Sequence, residues 1–334
     1  MRSNGSRSKA PTQRDVAKLA RASQAAVSRV MLGKGYVAEE VRTRIEAAAK
    51  TLDYRPDPFA RSLITGRSNI VAVVTANVVN PLFPFILDAL TDALQGSGKN
   101  VLLFNAAQGQ KIEDIIPEVL TYRVSGIIIT TASLSTNVSE LCDQAGVPVV
   151  YFHRYSTTDK AFSVSCDGYD GGAQAAGALI KAGCRNLAYL GGNKDSSPNF
   201  ERRQGFVAAA EKVGVTPVLV KEASFDYDWG WEGTGQLFST NPGIDGIFCG
   251  DDAIASGAID RLRHSLGGLV PEGVSVIGFD DVPQASWAAY SLTTLQQPID
   301  EMIDLSLSII EAPDSYERRR YALKGKLIQR STVR

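Results

Sequence analysis

The sequence predicts an α/β protein in two parts, an N-terminal helix-turn-helix head and a two-lobed body of parallel α/β design. Three observations carry this. Residues 12–32, TQRDVAKLARASQAAVSRVML, hold two short helical periodicities broken by a tight turn. The charge changes sign along the chain: residues 1–68 carry 14 Lys and Arg against 6 Asp and Glu, net +8, whereas residues 69–334 carry 21 against 30, net −9. From Asn69 onward, short apolar runs alternate with helical stretches, as parallel strands covered on both faces do. A basic head points to a polyanionic partner, because neutralising phosphates releases condensed counterions. Its charges are interleaved with helical apolar positions, which argues against a merely solvated basic tail.

Composition narrows the function. A hydrophobic fraction of 44% in 334 residues is ample for a large core. No run of eighteen apolar residues occurs, so no membrane-spanning helix is expected. The start, MRSNGSRSKAPTQ, has charges without a following apolar run, so no secretory signal is expected. Cys142, Cys166, Cys184 and Cys249 lack metal-ligand spacing and read as reduced thiols of a cytoplasmic protein. With only His153 and His264 besides, no metal site is expected. No glycine-rich phosphate loop follows the first strand, and no nucleophile, base and orienter assemble. The chain therefore reads as neither an enzyme nor a cofactor carrier. A cytosolic small-molecule-binding α/β protein or enzyme without DNA regulation is the alternative.

The head is taken in order. Residues 1–11 read as a disordered tail and 12–55 as the DNA-binding domain. Thr12 suits an N-cap, with Asp15 in the first turn. Val16, Ala17, Leu19 and Ala20 recur at helical spacing. Ala22 makes the turn, and Ser23 caps the second helix, whose buried stripe is Val27, Val30 and Met31. That leaves Gln24, Ala25, Ser28 and Arg29 facing outward, near the end of the helix that meets base edges. Arg29 can bond guanine in bidentate fashion and Gln24 adenine. A third helix, 38–52, presents Val41, Ile45, Ala48, Ala49 and Leu52. Residues 56–68 read as a hinge helix and linker, with Asp57 and Pro58 as N-cap and first-turn proline. Such a helix is too short to be stable alone, so binding can order it and release disorder it.

In the body, 69–334, strands are expected at 70–75, 101–104, 126–130, 147–152, 187–190, 246–249 and 274–279. Lobe one is placed at about 69–158 and 296–334, and lobe two at about 159–295. The segment Leu292–Pro298 would return the chain to the first lobe, and Tyr321–Ile328 would add a last strand. Ligands of open α/β sheets bind beyond the carboxyl ends of strands. That rule selects Asn77, Asn80, Leu82, Phe83, His153, Arg154, Asp251, Asp252, Asp280 and Asp281, with Arg202, Phe225 and Trp229 in later loop and helix-start segments. Asp252 and Asp281 suit N-caps or strand-end turns better than ligand contacts. Phe83 suits core packing, and His153 a structural linker role. Trp287 suits either the pocket mouth or an interface.

Ordered motifs then carry a resemblance. DVAKLA, VSRVM and VAEEVRTRIEAAAKTLDYRPDPFARSL in the head, followed by RVSGIIIT, GVPVVYF, SVSCDGYDGG, AGCRNLAYLGG, ERRQGF, GIFCGDDAIASGA, VPEGVSVIGFDD and LTTLQQP, resemble the lactose-repressor (LacI) family of bacterial transcription regulators. The resemblance runs from Thr12 to about Val333. It implies a periplasmic-binding-protein-like body and a ligand-responsive repressor that binds near-palindromic operator DNA as a homodimer. The effector would be a small polar molecule, a sugar or sugar derivative. Thr12, Ser23, Gln24, Ala25, Ser28, Arg29, Tyr36, Arg61 and Leu63 would contact DNA. Leu63 would be a minor-groove wedge of the kind that bends a duplex. Leu63→Ala is then expected to weaken specific binding more than non-specific binding, checked by comparing the two affinities at one salt concentration. The effector set would be Asn80, Phe83, His153, Arg202, Phe225, Asp251 and Asp280. Arg202 would grip the ligand, Asp280 accept from it and Phe225 stack on it. The head departs from the family pattern at Ala26, where a threonine is common, and at Leu32, where asparagine is usual, so operator sequence does not carry over. No leucine heptad follows Leu327–Ser331, and a dimer is expected.

Overall fold

A computed structural model describes residues 11–33, 35–55, 68–75, 79–106, 110–130, 136–155, 161–220, 223–265, 267 and 270–334. The chain forms two compact units, Met1–Ser68 and Asn69–Arg334. The hinge segment 56–67, with Arg61 and Leu63, lies outside the described residues, as do Asn77 and residues 1–10 of the expected tail.

The head has three helices, α1 (Gln13–Ala20), α2 (Gln24–Leu32) and α3 (Glu39–Thr51). A reciprocal capping box opens α1: the Asp15 amide donates to Thr12 Oγ1, and the Thr12 amide donates to Asp15 Oδ2 at 2.8 Å. Ser23 Oγ accepts from the Ala26 amide at 3.1 Å and opens α2. Gly33, at φ +62°, closes α2 in the left-handed region that favours glycine. Val16, Ala17, Ala20, Val27, Val30, Ile45, Ala48 and Ala49 form the core. Leu19 departs from its expected burial and is 51% exposed: the buried stripe of this short helix passes through 16, 17 and 20.

The body holds two six-stranded sheets. The first has strands β1 (Ile70–Thr75), β2 (Asn100–Asn105), β3 (Gly126–Ile129), β4 (Val149–Phe152), β5 (Phe162–Cys166) and β11 (Arg320–Leu323), in the order β2-β1-β3-β4-β5-β11. The second has β6 (Leu187–Leu190), β7 (Val218–Leu219), β8 (Gly246–Cys249), β9 (Ser275–Asp280), β10 (Thr293–Gln296) and β12 (Lys326–Ile328), in the order β7-β6-β8-β9-β10-β12. All pairings are parallel except β10 with β12. Period-two alternation explains the apolar runs. Val71 and Val73 enter one core cluster with α4 (Leu82–Gly96) and α11 (Ile299–Glu311), while Ala72 and Val74 enter another with α5 (Ile112–Thr121). In the second sheet Leu187 and Tyr189 face Phe206, whereas Ala188 and Leu190 face Ile254 and Leu262.

Three findings revise the expected lobe boundaries. Phe162–Cys166 pairs with β4, so the first lobe extends past 158 by one strand. Its serines, Ser163 and Ser165, are buried in the sheet and break the apolar run that marks other strands. The segment 293–296 belongs to the second sheet, and the chain returns to the first lobe only with α11. The tail supplies two strands, β11 to the first sheet and β12 to the second. The lobes are thus joined three times, after Cys166, after Gln296 and between Leu323 and Lys326.

Candidate functional site

In the head, Gln24, Ala25 and Arg29 are exposed and Ser28 is half-buried on the face of α2 away from the core. Tyr36, 89% exposed, follows α2. Thr12 and Ser23 are exposed N-caps, so amide-rich, positively polarised helix ends accompany this face.

In the body, all seven effector candidates line one cavity: Asn80, Phe83, His153, Arg202, Phe225, Asp251 and Asp280, together with Leu82, Arg154, Ser196 and Pro198. They come from the carboxyl ends of strands, as Asp280 of β9 does, or from chain segments that follow such ends, in both sheets. Arg202 rides on α8 (Ser197–Glu211), whose N-cap is Ser196. Its Nη1 donates to the Gly250 carbonyl at 2.6 Å and Nη2 to Asp280 Oδ1 at 3.2 Å, and its guanidinium lies 3.6 Å above the Phe279 ring. Gln297 Nε2 donates to the same Asp280 oxygen at 2.7 Å, while Gln297 Oε1 lies 3.2 Å from His153 Nδ1. Beside an ionised Asp280 the amide must present its NH2 to the carboxylate. His153 Nδ1 then carries the proton and Nε2 remains an acceptor. Burial, with Arg202 and Arg154 nearby, holds the His153 pKa well below its usual value, so the ring is neutral. His153 and Asp280 both sit at positive φ, +69° and +122°, conformations that L-residues hold only where the surroundings enforce them.

Asn80 ties the two lobes. Its Nδ2 donates to Asp251 Oδ2 at 2.8 Å and to the Phe225 carbonyl at 3.0 Å, and its Oδ1 accepts from the Leu82 amide. The remaining cavity, about 30 Å3, has room for a water molecule or so. A ring-sized ligand therefore fits only if the lobes part and Asn80 exchanges its partners. Arg320 of β11 adds a second tie, an ion pair with Glu201 on α8.

The other candidates resolve as structure. Asp252 accepts from the Val282 amide at 2.9 Å and the Thr294 hydroxyl at 2.5 Å. Asp281 pairs with Arg330 at 2.7 Å and accepts from Gln296. Trp229 donates to the Gly191 carbonyl. Trp287 is 55% exposed and outside the cavity lining. Phe83 both packs, 8% exposed, and lines the cavity, with its ring edge-on to His153. Gln297 and Ser196 were missed by sequence reading. Ser196 follows β6 and precedes Pro198, an N-cap signal at a strand's carboxyl side, but Gln297 stands in a crossover whose position depends on both sheets.

Burial raises the pKa of Asp251, Asp252 and Asp280, and neighbouring carboxylates add to it, Asp226 for Asp251, Asp280 and Asp251 for Asp252, and Asp251 for Asp280. The folded chain therefore retains protons that the unfolded chain, titrating near about 3.9, has already released. The contribution of these carboxyls is greatest in mild acid and falls as pH rises through the raised folded values, whereas neutral His153 acts in the opposite sense below its unfolded value of about 6.5. Above the histidine range, the body's melting temperature is expected to drop between pH 7 and pH 8. Asp252→Asn keeps an acceptor for Val282 and should flatten the slope, melting about 2–4 °C above the unsubstituted chain at pH 8 for each kcal/mol recovered. An unchanged slope would mean that Asp252 is ionised in the folded chain.

Among the described residues no helix is long and apolar enough to cross a membrane, and no group of three or more His, Cys, Asp and Glu is arranged to hold a metal ion. A helix-turn-helix head and a two-lobed body around a polar cavity define a class of DNA-binding regulator with its own small-molecule domain. Residues 12–57 match the family described as bacterial regulatory proteins, lacI family, and residues 68–313 match the periplasmic binding proteins and sugar binding domain of LacI family. The chain belongs to the LacI family and is a transcription regulator of that type. It is 32% identical to the ribose operon repressor of Halalkalibacterium halodurans over 330 residues, 97% of either chain. It is 31% identical to the sucrose operon repressor of Pediococcus pentosaceus, covering 97% of this chain and 99% of the other. The solved transcriptional regulator CelR in its cellobiose complex has a TM-score of 0.70 at 28% identity, covering 96% of this chain and 99% of that one. The lac repressor dimer bound to operator and an anti-inducer has a TM-score of 0.87 at 23% identity, covering 97% and 99%, which bears on fold alone.

Proposed function

We propose that this chain is a cytoplasmic repressor that binds a near-palindromic operator as a homodimer and changes its affinity when a sugar or sugar derivative enters the cavity between the lobes. The observation that supports this best is the convergence of Asn80, Phe83, His153, Arg202, Phe225, Asp251 and Asp280 on one cavity. A guanidinium, two carboxylates, an amide and aromatic faces suit a polyhydroxylated ring. Gln24, Ala25, Ser28, Arg29 and Tyr36 would face the major groove, Thr12 and Ser23 the phosphates, and Arg61 and Leu63 the operator centre. Two heads would read two half-sites. Because the sites are coupled, an effector that weakens operator binding is itself bound more weakly by the operator complex.

The test is selection of duplexes from a random pool by the full chain, followed by anisotropy titration of the selected duplex with and without sugars that raise the melting temperature. A two-fold-related site whose affinity changes with a stabilising sugar is expected. Failure to enrich any duplex would remove the DNA-binding role. A stabilising sugar that leaves duplex affinity unchanged would remove the coupling.

A further inference from the structure

The polar atoms of the cavity are unevenly distributed, and the imbalance identifies the ligand's charge. Both carboxylates already accept hydrogen bonds. Asp280 takes Arg202 and Gln297, while Asp251 takes Asn80 and, through Oδ1, the Ile254 amide at 2.8 Å. On the α8 side two buried polar groups stand without partners, the Ser196 hydroxyl and Arg202 Nε. Ser196 is 2% exposed, and its hydroxyl makes no hydrogen bond within the chain. It occupies the N-cap position of a fifteen-residue helix without capping it, whereas Ser23, Asp167 and Asp226 all spend their side chains on their helices. Arg202 Nε, also buried, has no partner. Arg154, 7% exposed, brings a second guanidinium to the same lining. The positive end of the α8 dipole adds to these.

We propose that the effector is an anionic polyol, a sugar acid or sugar phosphate. Its anionic group would dock at the start of α8 against the Ser196 hydroxyl and the Arg154 and Arg202 guanidiniums, with its hydroxyls facing Asp251 and Asp280. This rests on the effector-responsive reading above and specifies the ligand class. Buried donors without acceptors are costly. An anion supplies several acceptor lone pairs to one place, and a neutral hydroxyl supplies fewer and no charge.

The experiment is a melting-temperature panel on the full chain with D-gluconate, D-glucuronate and ribose 5-phosphate against D-glucose and D-ribose, followed by calorimetric titration of any binder. One or more of the anions is expected to stabilise the chain where its neutral parent does not, with the acid and phosphate arms separating the two sources of charge. Ser196→Ala is expected to weaken the anion about tenfold, and Ser196→Thr, which keeps the hydroxyl, to weaken it less. Equal or greater stabilisation by glucose or ribose overturns the anionic class and leaves the repressor reading standing. No shift with any of the five also overturns it, whereas the repressor reading falls only if the same preparation selects no duplex. An unchanged anion affinity in Ser196→Ala overturns the docking position. If that variant does not fold, the panel alone decides.

Discussion

Replacing Arg202 with alanine is expected to abolish the effector's influence on operator affinity while the affinity itself is retained. Arg202 makes the bonds to Gly250 and Asp280 and covers the Phe279 ring, all within the body, whereas the residues expected to touch DNA lie in the head or hinge. Each hydrogen bond from this charged group to a ligand is worth about 1.5–3 kcal/mol, so effector affinity should fall by about tenfold to a hundredfold or more. Stability should fall as well, because truncation removes the cation beside a buried carboxylate, a change that costs about 3–5 kcal/mol where the survivor stays charged. Asp280 has another recourse. Burial already moves its pKa up, to about 7, even with Arg202 lowering it, so without Arg202 it takes up a proton. The stability loss should therefore be smaller at pH 6 than at pH 8, and Asp280→Asn in the Arg202→Ala background should recover stability without recovering effector response. Urea melts at both pH values, with duplex titrations, read these quantities. An equal loss of duplex affinity and effector response would make Arg202 a structural residue.

That prediction depends on residues the sequence could supply singly but not place together. Arg202, Asp251 and Asp280 were found because they follow strands whose apolar runs are uninterrupted, such as Leu187–Leu190 and Gly246–Cys249. Where a strand's burial is shared with polar side chains, the signal weakens. Ser163 and Ser165 alternate with apolar neighbours in β5, and Thr293 and Thr294 are fully buried in β10, so apolar runs alone end the first lobe a strand early and return the chain to it a strand too soon. Gln297 illustrates a different limit. Its role comes from standing between His153 of one lobe and Asp280 of the other, and no local pattern encodes a contact across 144 residues of chain. Asn80 was selected as a residue beyond a strand end. That its amide spans the cleft to Asp251 follows only from the closure of the lobes.

The placement of Arg202 and Ser196 depends in turn on two glycines, and Gly205→Ala should show it. The helices α7 (Gly168–Lys181) and α8 cross so closely that a Cβ at Gly205 would lie 1.9 Å from the Tyr169 carbonyl oxygen, and one at Gly172 would lie 2.1 Å from the Arg202 carbonyl oxygen. Both obstacles are backbone, which cannot rotate away as a side chain can, so α8 must move. Overpacking in a core costs about 1–3 kcal/mol, occasionally more, and a backbone collision belongs at or above the upper end. The displaced helix carries Arg202 and Ser196 with it. An ångström of movement is comparable to the tolerance of the 3.2 Å bond to Asp280, so effector affinity should fall in step with stability. Gly177 is the internal control. It lies on α7, and a Cβ there would meet nothing within 4 Å. Gly177→Ala should therefore stabilise the chain by about 0.5–1 kcal/mol through the lower backbone entropy of the unfolded state. Denaturant melts and effector titrations on the two variants give opposite signs if the glycine crossing sets the cavity. A Gly205→Ala chain that melts and binds like the unsubstituted one would show that α8 is positioned by its side-chain contacts instead.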